Sequence, residues 1–253
     1  MIELSAVCGG YNGREALSGI SIAFARGRIS AVIGPNGSGK STLVKTAGGQ
    51  LAPYGGKVTL DGEDVYSMPR RRLAKKVSCL PQTRGIPDII AETMVLHGRF
   101  PYLGYPRIYG ARDKAAAVRA MERAGVLPLR SRKLSELSGG ERQKVYIAML
   151  LAQDTDAVFL DEPTTYLDIA HQFEVIGLIK QLRDRGKAVV MVLHDINQAL
   201  TCADNISVMR DGRLLQTAAP AEIVSGGVLE QAFGVKAAAH ETNSGTQYFF
   251  SRV

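Results

Sequence analysis

Short apolar runs bounded by turn residues alternate along this chain with stretches whose apolar positions recur every three or four residues, and the order of the two patterns predicts the architecture. Early in the chain the runs dominate: Ile2 to Val7, Ala16 to Ala25, Ile29 to Ile33, Lys57 to Leu60 and Val77 to Leu80 read as strands. From about Arg84 to Asp154 the period lengthens to that of helices, including Ala111 to Ala124 and the helix after LSGGE (Leu137 to Glu141). From Asp156 onward the two alternate, with strands at Val158 to Leu160, Ala188 to Leu193 and Ile206 to Met209 and helices at Ile169 to Arg185 and Ile196 to Cys202. Such alternation predicts a parallel α/β core. Short strands at Arg213 to Thr217 and Gln247 to Arg252 close the chain, and no internal repeat, linker or low-complexity tract interrupts it.

Chemistry gathers where these strands end. The run Ile29 to Ile33 leads into Gly34, Pro35, Asn36, Gly37, Ser38, Gly39, Lys40, Ser41 and Thr42, a match to the phosphate-loop pattern G-x-x-x-x-G-K-[ST]. Glycines at 34, 37 and 39 let the backbone turn its N–H groups inward around an anion, and a helix starting near Lys40 adds its positive end. Lys40 then reaches the β- and γ-phosphates, and the Ser41 hydroxyl suits Mg²⁺. An ordinary glycine-rich turn is the plainer reading, and the loop alone leaves kinases, GTPases and transport ATPases open. In AVFLDE, Ala157 to Glu162, an apolar strand delivers two carboxylates: Asp161 for Mg²⁺ and Glu162 as a general base for an attacking water. The simpler role for Glu162 is to cap the helix that follows. LSGGERQ, Leu137 to Gln143, places Ser138, Gly139 and Gly140 at a second helix start, where Ser138 with Glu141 also forms a capping box.

That last motif, with its apolar-periodic helix, resembles the signature of ATP-binding-cassette (ABC) ATPases, and the resemblance runs from about Met1 to the C-terminus. It implies a phosphate-loop NTPase fold: one cassette over residues 1–253, its RecA-like core and N-terminal antiparallel β part at about 1–83 and 155–253, and a helical subdomain inserted at about 84–154. It implies ATP and Mg²⁺ as ligands, with Tyr11 stacking on adenine and Gln82 contacting Mg²⁺ and the water. His194 bonds the γ-phosphate by the same resemblance, and Asp168 lies in the loop that crosses a dimer interface. Ser138 to Glu141 complete the ATP site of a facing copy, so that two chains clamp two nucleotides head to tail. Such a homodimer works on a transmembrane permease dimer at the cytoplasmic face of the membrane, with an external substrate-binding protein in the system.

Composition narrows the setting. No apolar run approaches the about 18 residues that span a bilayer, and the N-terminus has neither a basic leader nor an export core, so a membrane role is expected to come through another chain. Cys8, Cys79 and Cys202 lack metal or redox spacing and read as reduced, largely buried thiols. The net charge of +7 is densest at Arg70, Arg71, Arg72, Lys75 and Lys76, the solvated face of a short helix begun at Pro69 or a patch facing anionic lipid. Without aromatic interleaving, it gives no nucleic-acid signature.

Several stretches resemble the ATPase subunits of importers for iron chelates, haem and cobalamin: LAKKVSCLPQ, GRFPYLG from Gly98 to Gly104, DEPTTYLDIAHQ, and VLEQAFGV from Val228 to Val235. TTYLDIAHQ leans toward iron–siderophore systems. GRFPY also reads simply as a proline-bearing loop that closes the helical region. The interval between Gln82 and Ser138 is too short for the coiled coil of DNA-repair relatives, one cassette is too few for translation-type relatives, and exporters fuse theirs to membrane helices. A regulatory, non-hydrolysing nucleotide binder would not need Glu162 and His194 together.

Overall fold

The computed structural model describes residues 1–82, 85–242 and 245–252. Its centre is a six-stranded sheet. Strands β6 (Val77–Leu80), β7 (Ala157–Asp161), β8 (Ala188–Val192), β3 (Arg28–Ile33) and β9 (Asn205–Arg210) run parallel in that spatial order, and β10 (Arg213–Ala218) adds antiparallel at the edge. Every residue of β7 and β8 is buried. That follows from cover on both faces, which turns parallel strands into unbroken apolar runs. Alternate residues of one strand serve different cores. Phe159 and Val190 pack with the N-terminal sheet, and Val158, Leu160, Val189 and Met191 pack with the helices.

The N-terminal sheet is antiparallel, in the order β2 (Arg14–Phe24), β1 (Ile2–Tyr11), β4 (Gly55–Leu60) and β5 (Glu63–Asp64). Strand β1 runs past the expected Val7. Gly9 and Gly10 look like breakers, but a Cβ on Gly10 would lie 2.0 Å from the Arg14 carbonyl oxygen, so the closeness of the β2 backbone is what demands glycine. Tyr11 therefore ends a strand, next to the positive-φ pair Asn12-Gly13 of a tight hairpin turn.

Helix α1 (Lys40–Ala47) follows β3, and α2 (Arg70–Lys76) precedes β6. Three of the α2 arginines are spent at short range: Arg70 donates to the Gly49 carbonyl at 2.7 Å, Arg71 to that of Leu103 at 2.6 Å, and Arg72 pairs with Glu63. Helices α3 (Ala91–His97) and α4 (Ala111–Arg123) pack against α5 (Gly139–Gln153). The turn Phe100–Tyr102 closes that group, its Tyr102 hydroxyl donating to the Gln153 carbonyl, so the plainer reading of GRFPY describes what its residues do here. Beyond α6 (Ile169–Asp184), α7 (Ile196–Cys202), α8 (Pro220–Ser225) and α9 (Val228–Phe233), the chain ends in a hairpin. Its strands are β11 (Val235–Thr242) and β12 (Gly245–Arg252), of which only the second was expected. All three cysteines are free; Cys8 and Cys79 are part-buried rather than fully enclosed, and burial pushes the Cys79 and Cys202 thiols up to about 12.

Candidate nucleotide site

The loop between β3 and α1 is shaped by backbone on both sides. Gly37 and Gly39 have φ of 79° and 97°. A Cβ on Gly39 would lie 2.4 Å from the Ala16 carbonyl oxygen, and one on Gly34 would lie 2.2 Å from that of Met209. Strands β2 and β9 thus press on the loop where side chains are missing. Helix α1 starts from Gly39 with no side chain capping it, so its first N–H groups are open to a ligand. The buried Ser38 hydroxyl has no hydrogen-bond partner among the described residues. Lys40, also buried, folds over the loop and donates to the Gly34 and Pro35 carbonyls at 2.8 and 2.9 Å. Burial lowers its pKa, against the opposing pull of Glu162 and Asp161.

Opposite this cradle, β7 ends at Asp161, whose carboxylate accepts from the Ser41 hydroxyl at 3.1 Å. Burial raises the Asp161 pKa, and the Ser41 hydrogen bond opposes it. A hydroxyl beside a carboxylate is an oxygen donor set that fits a hard divalent cation such as Mg²⁺, and a glycine cradle with open N–H groups and an orphaned hydroxyl fits phosphate.

Glu162 adopts a φ of 53°, a strained conformation for this residue type. Its carboxylate is held on both sides: Oε1 lies 2.5 Å from His194 Nε2, while Oε2 accepts from Gln82 Nε2 at 2.6 Å and from the Thr165 hydroxyl at 3.1 Å. Glu162 caps no helix. The next one, α6, is capped by Asp168 instead. Gln82, Glu162 and His194 share one cleft of about 470 Å³ with Asn36, Gly37 and Lys40. A carboxylate, an imidazole and an amide facing a phosphate cradle can position a water and take its proton.

The other expected residues lie elsewhere. Ser138 caps α5, its hydroxyl accepting from the Glu141 N–H at 3.2 Å while the Glu141 carboxylate accepts from the Ser138 N–H at 2.9 Å. Asp168 accepts from the His171 N–H at 2.9 Å and pairs with its ring at 2.7 Å. That ring lies over Gly140, where a Cβ would come within 2.1 Å of it. Ser138 to Glu141 and Asp168 therefore form a second cluster, outside the lining of the phosphate cleft. Tyr11 is half-exposed, with Lys45 Nζ 5.9 Å from its ring centre. The sequence assigns no site role to the side chains of Thr165, His171 or Gln143, the last of which donates its amide to the Pro163 carbonyl at 2.7 Å and ties α5 to the Glu162 turn. The only local signal was the spacing Asp-x-x-His at 168 and 171, which suits a helix start.

A family model described as ABC transporter matches residues 17–165, more than half of the chain. The chain belongs to the ABC transporter ATPase family. Among curated ABC ATPases, the achromobactin transport ATP-binding protein of Dickeya dadantii is 39% identical, with 89% of this chain and 85% of that protein covered. The ferric enterobactin transport ATP-binding protein of Escherichia coli is 36% identical, covering 90% and 84%. The hemin import ATP-binding protein of Gloeobacter violaceus is 37% identical, covering 88% and 84%. A dimeric bacterial ABC transporter cassette superposes with a TM-score of 0.76 at 28% identity, over 87% of this chain and 99% of that one. The phosphate-loop α/β fold expected from the sequence is the one seen, and like its relatives this ABC ATPase binds and hydrolyses ATP. Among the described residues no helix is long and apolar enough to cross a membrane, and the relatives are ATP-binding parts of transport systems.

Proposed function

We propose that this ABC ATPase powers uptake of a siderophore-type iron chelate through a separate membrane permease, using Glu162 as the base for ATP hydrolysis. The observation that carries the chemistry is the Glu162 carboxylate, held between His194 and Gln82 at the mouth of the Lys40 cradle. N–H groups of the loop from Gly34 to Thr42 and the Lys40 ammonium bind the β- and γ-phosphates. Ser41 and Asp161, with Gln82 nearby, are the residues that would hold Mg²⁺, which when bound neutralises charge on the phosphate oxygens. Glu162 takes the proton of the attacking water, and His194 bonds the γ-phosphate once it releases the carboxylate. Tyr11 stacks on the adenine.

The separation of Ser138 to Glu141 and Asp168 from the cleft supports a site shared between two copies: each cradle is completed by the α5 start of the facing chain, in a head-to-tail homodimer. In this reading residues 1–253 are one cassette, with about 84–154 as its helical subdomain. The dimer sits at the cytoplasmic face of the membrane on a permease dimer fed by an external binding protein. The relatives for achromobactin and ferric enterobactin favour an iron–siderophore cargo, and the hemin relative keeps haem as the second reading. Uptake of a labelled ferric siderophore should vanish in cells lacking this chain and return with wild type but not with Glu162→Gln. Restored haem uptake with no effect on the ferric siderophore would overturn the cargo and leave the ATPase chemistry standing.

A further inference from the structure

A second cavity, larger than the phosphate cleft, lies elsewhere on the molecule. It measures about 660 Å³ and lies between the arginine face of α4, the end of α5 and the turn from α6 into β8. Arg112, Arg119 and Arg123 line it from α4, and Arg185 and Lys187 from the turn; Asp154 is its one carboxylate. It shares no lining residue with the phosphate cleft.

Some of this charge is already matched. Lys187 pairs with Asp154 at 2.9 Å. Arg99, at the cavity edge, is held by Asp113 at 3.3 Å, by the Ala152 carbonyl at 2.8 Å and by the Tyr102 ring at 3.8 Å. The guanidiniums of Arg112, Arg119, Arg123 and Arg185 have no ion-pair partner among the described residues. Arg119 and Arg123 stand one helical turn apart, an arrangement of like charges that weakens a helix unless an anion joins them. Between the arginines α4 carries Ala115 and Ala116, which leave the floor open.

We propose that this cavity binds a small anion carrying two phosphoryl groups, either a soluble phosphate compound or the headgroup region of an anionic phospholipid. The guanidinium fork matches phosphate oxygens in pairs. Phosphoryl groups at about −1.5 to −2 each mean that roughly two of them balance the four unpaired arginines.

The test fills the phosphate loop first. Protein saturated with a non-hydrolysable ATP analogue is titrated with inorganic pyrophosphate in a calorimeter, and its flotation with phosphatidylglycerol and phosphatidylcholine vesicles is compared. Arg119→Gln/Arg123→Gln should weaken the binding by roughly tenfold or more, as the loss of two charge-assisted contacts requires. Ala116→Glu, which keeps every arginine, should do the same. Lys57→Gln/Arg252→Gln, equal in charge loss but remote, should not. Loss of pyrophosphate binding alone assigns a soluble ligand; loss of selective flotation on phosphatidylglycerol assigns a headgroup. Cavity variants that bind both probes as wild type does, or a remote variant that loses as much, would overturn the site.

Discussion

Helices α1 and α5 both begin at a glycine-bearing motif, and their starts are finished in opposite ways. Helix α1 leaves Gly39 in the left-handed region with no side chain to cap it, so its positive end opens onto the cleft. Helix α5 is closed by its own residues, Ser138 and Glu141 tying each other's N–H groups. Both ends carry the same dipole, yet of the two only the first is left without a side-chain cap, the end proposed to take a phosphate. At α5, Ser138 and Gly139 are exposed while Gly140 is packed under His171. Such an end is stable without ligand, and what it can give a nucleotide is its outward hydroxyl and backbone.

The largest effect expected separates chemistry from binding at the first of these ends. Glu162→Gln keeps the shape and the contact with Gln82 but removes the proposed base, so single-turnover hydrolysis should slow by roughly 10²–10⁴-fold with MgATP affinity unchanged. The trapped ATP should also hold two chains together, visible as an ATP-dependent shift on a sizing column. A mutant hydrolysing at close to the wild-type rate would reduce Glu162 to a structural residue.

Lys40→Ala comes next and acts on the cradle itself. The ammonium now spends its hydrogen bonds on the Gly34 and Pro35 carbonyls, and phosphate oxygens are to compete for them. Removing a charge-assisted contact of about 1.5–3 kcal/mol should weaken ATP binding by roughly 10- to 150-fold while the melting temperature stays close to wild type. Calorimetry giving equal MgATP affinities would break the assignment of the α1 end as the phosphate site.

How legible the two ends were differs as well. The α1 cradle could be read from spacing alone, because a phosphate loop needs glycine where Ala16 and Met209 crowd it and a lysine at one fixed offset. The parallel strands were equally plain, since burial on both faces leaves runs such as Ala188 to Val192 with no polar residue. What the sequence hid were contacts between residues far apart or of ordinary type. Thr165 looks like any turn threonine until its hydroxyl is seen on Glu162, and His171 shows its place only when α6 is laid against Gly140. Strand β11 carried little signal because after Val235 its sequence is alanine and polar residues, mostly exposed and held by pairing with β12.

Whether the second end belongs to the partner's site can be tested by mixing. Lys40→Ala and Ser138→Arg homodimers should both be inactive, since every shared site then contains one defect. A mixed dimer pairs the intact loop of the Ser138→Arg chain with the intact α5 start of the Lys40→Ala chain, which restores one sound site. Single-turnover hydrolysis should therefore return on mixing, at up to about half the wild-type amplitude if the sites act independently. Full activity in the Ser138→Arg homodimer would remove α5 from the site.

The smallest effect isolates what the capping box does by itself. Ser138→Ala deletes the hydroxyl that accepts from the Glu141 N–H, and the loss of a serine cap costs about 1 kcal/mol. In a chain of this size that corresponds to a melting temperature lower by about 2–4 °C, measured without nucleotide. Ser138→Thr keeps an oxygen at the cap and should recover most of the loss. No such deletion is available at α1, because Gly39 has no cap to lose and an alanine there would meet the Ala16 carbonyl at a φ of 97°. If Ser138→Ala melts like wild type and yet loses ATPase activity, the hydroxyl acts on the nucleotide alone. The α5 end would then be as dependent on ligand as the α1 end, and the contrast between them would fail.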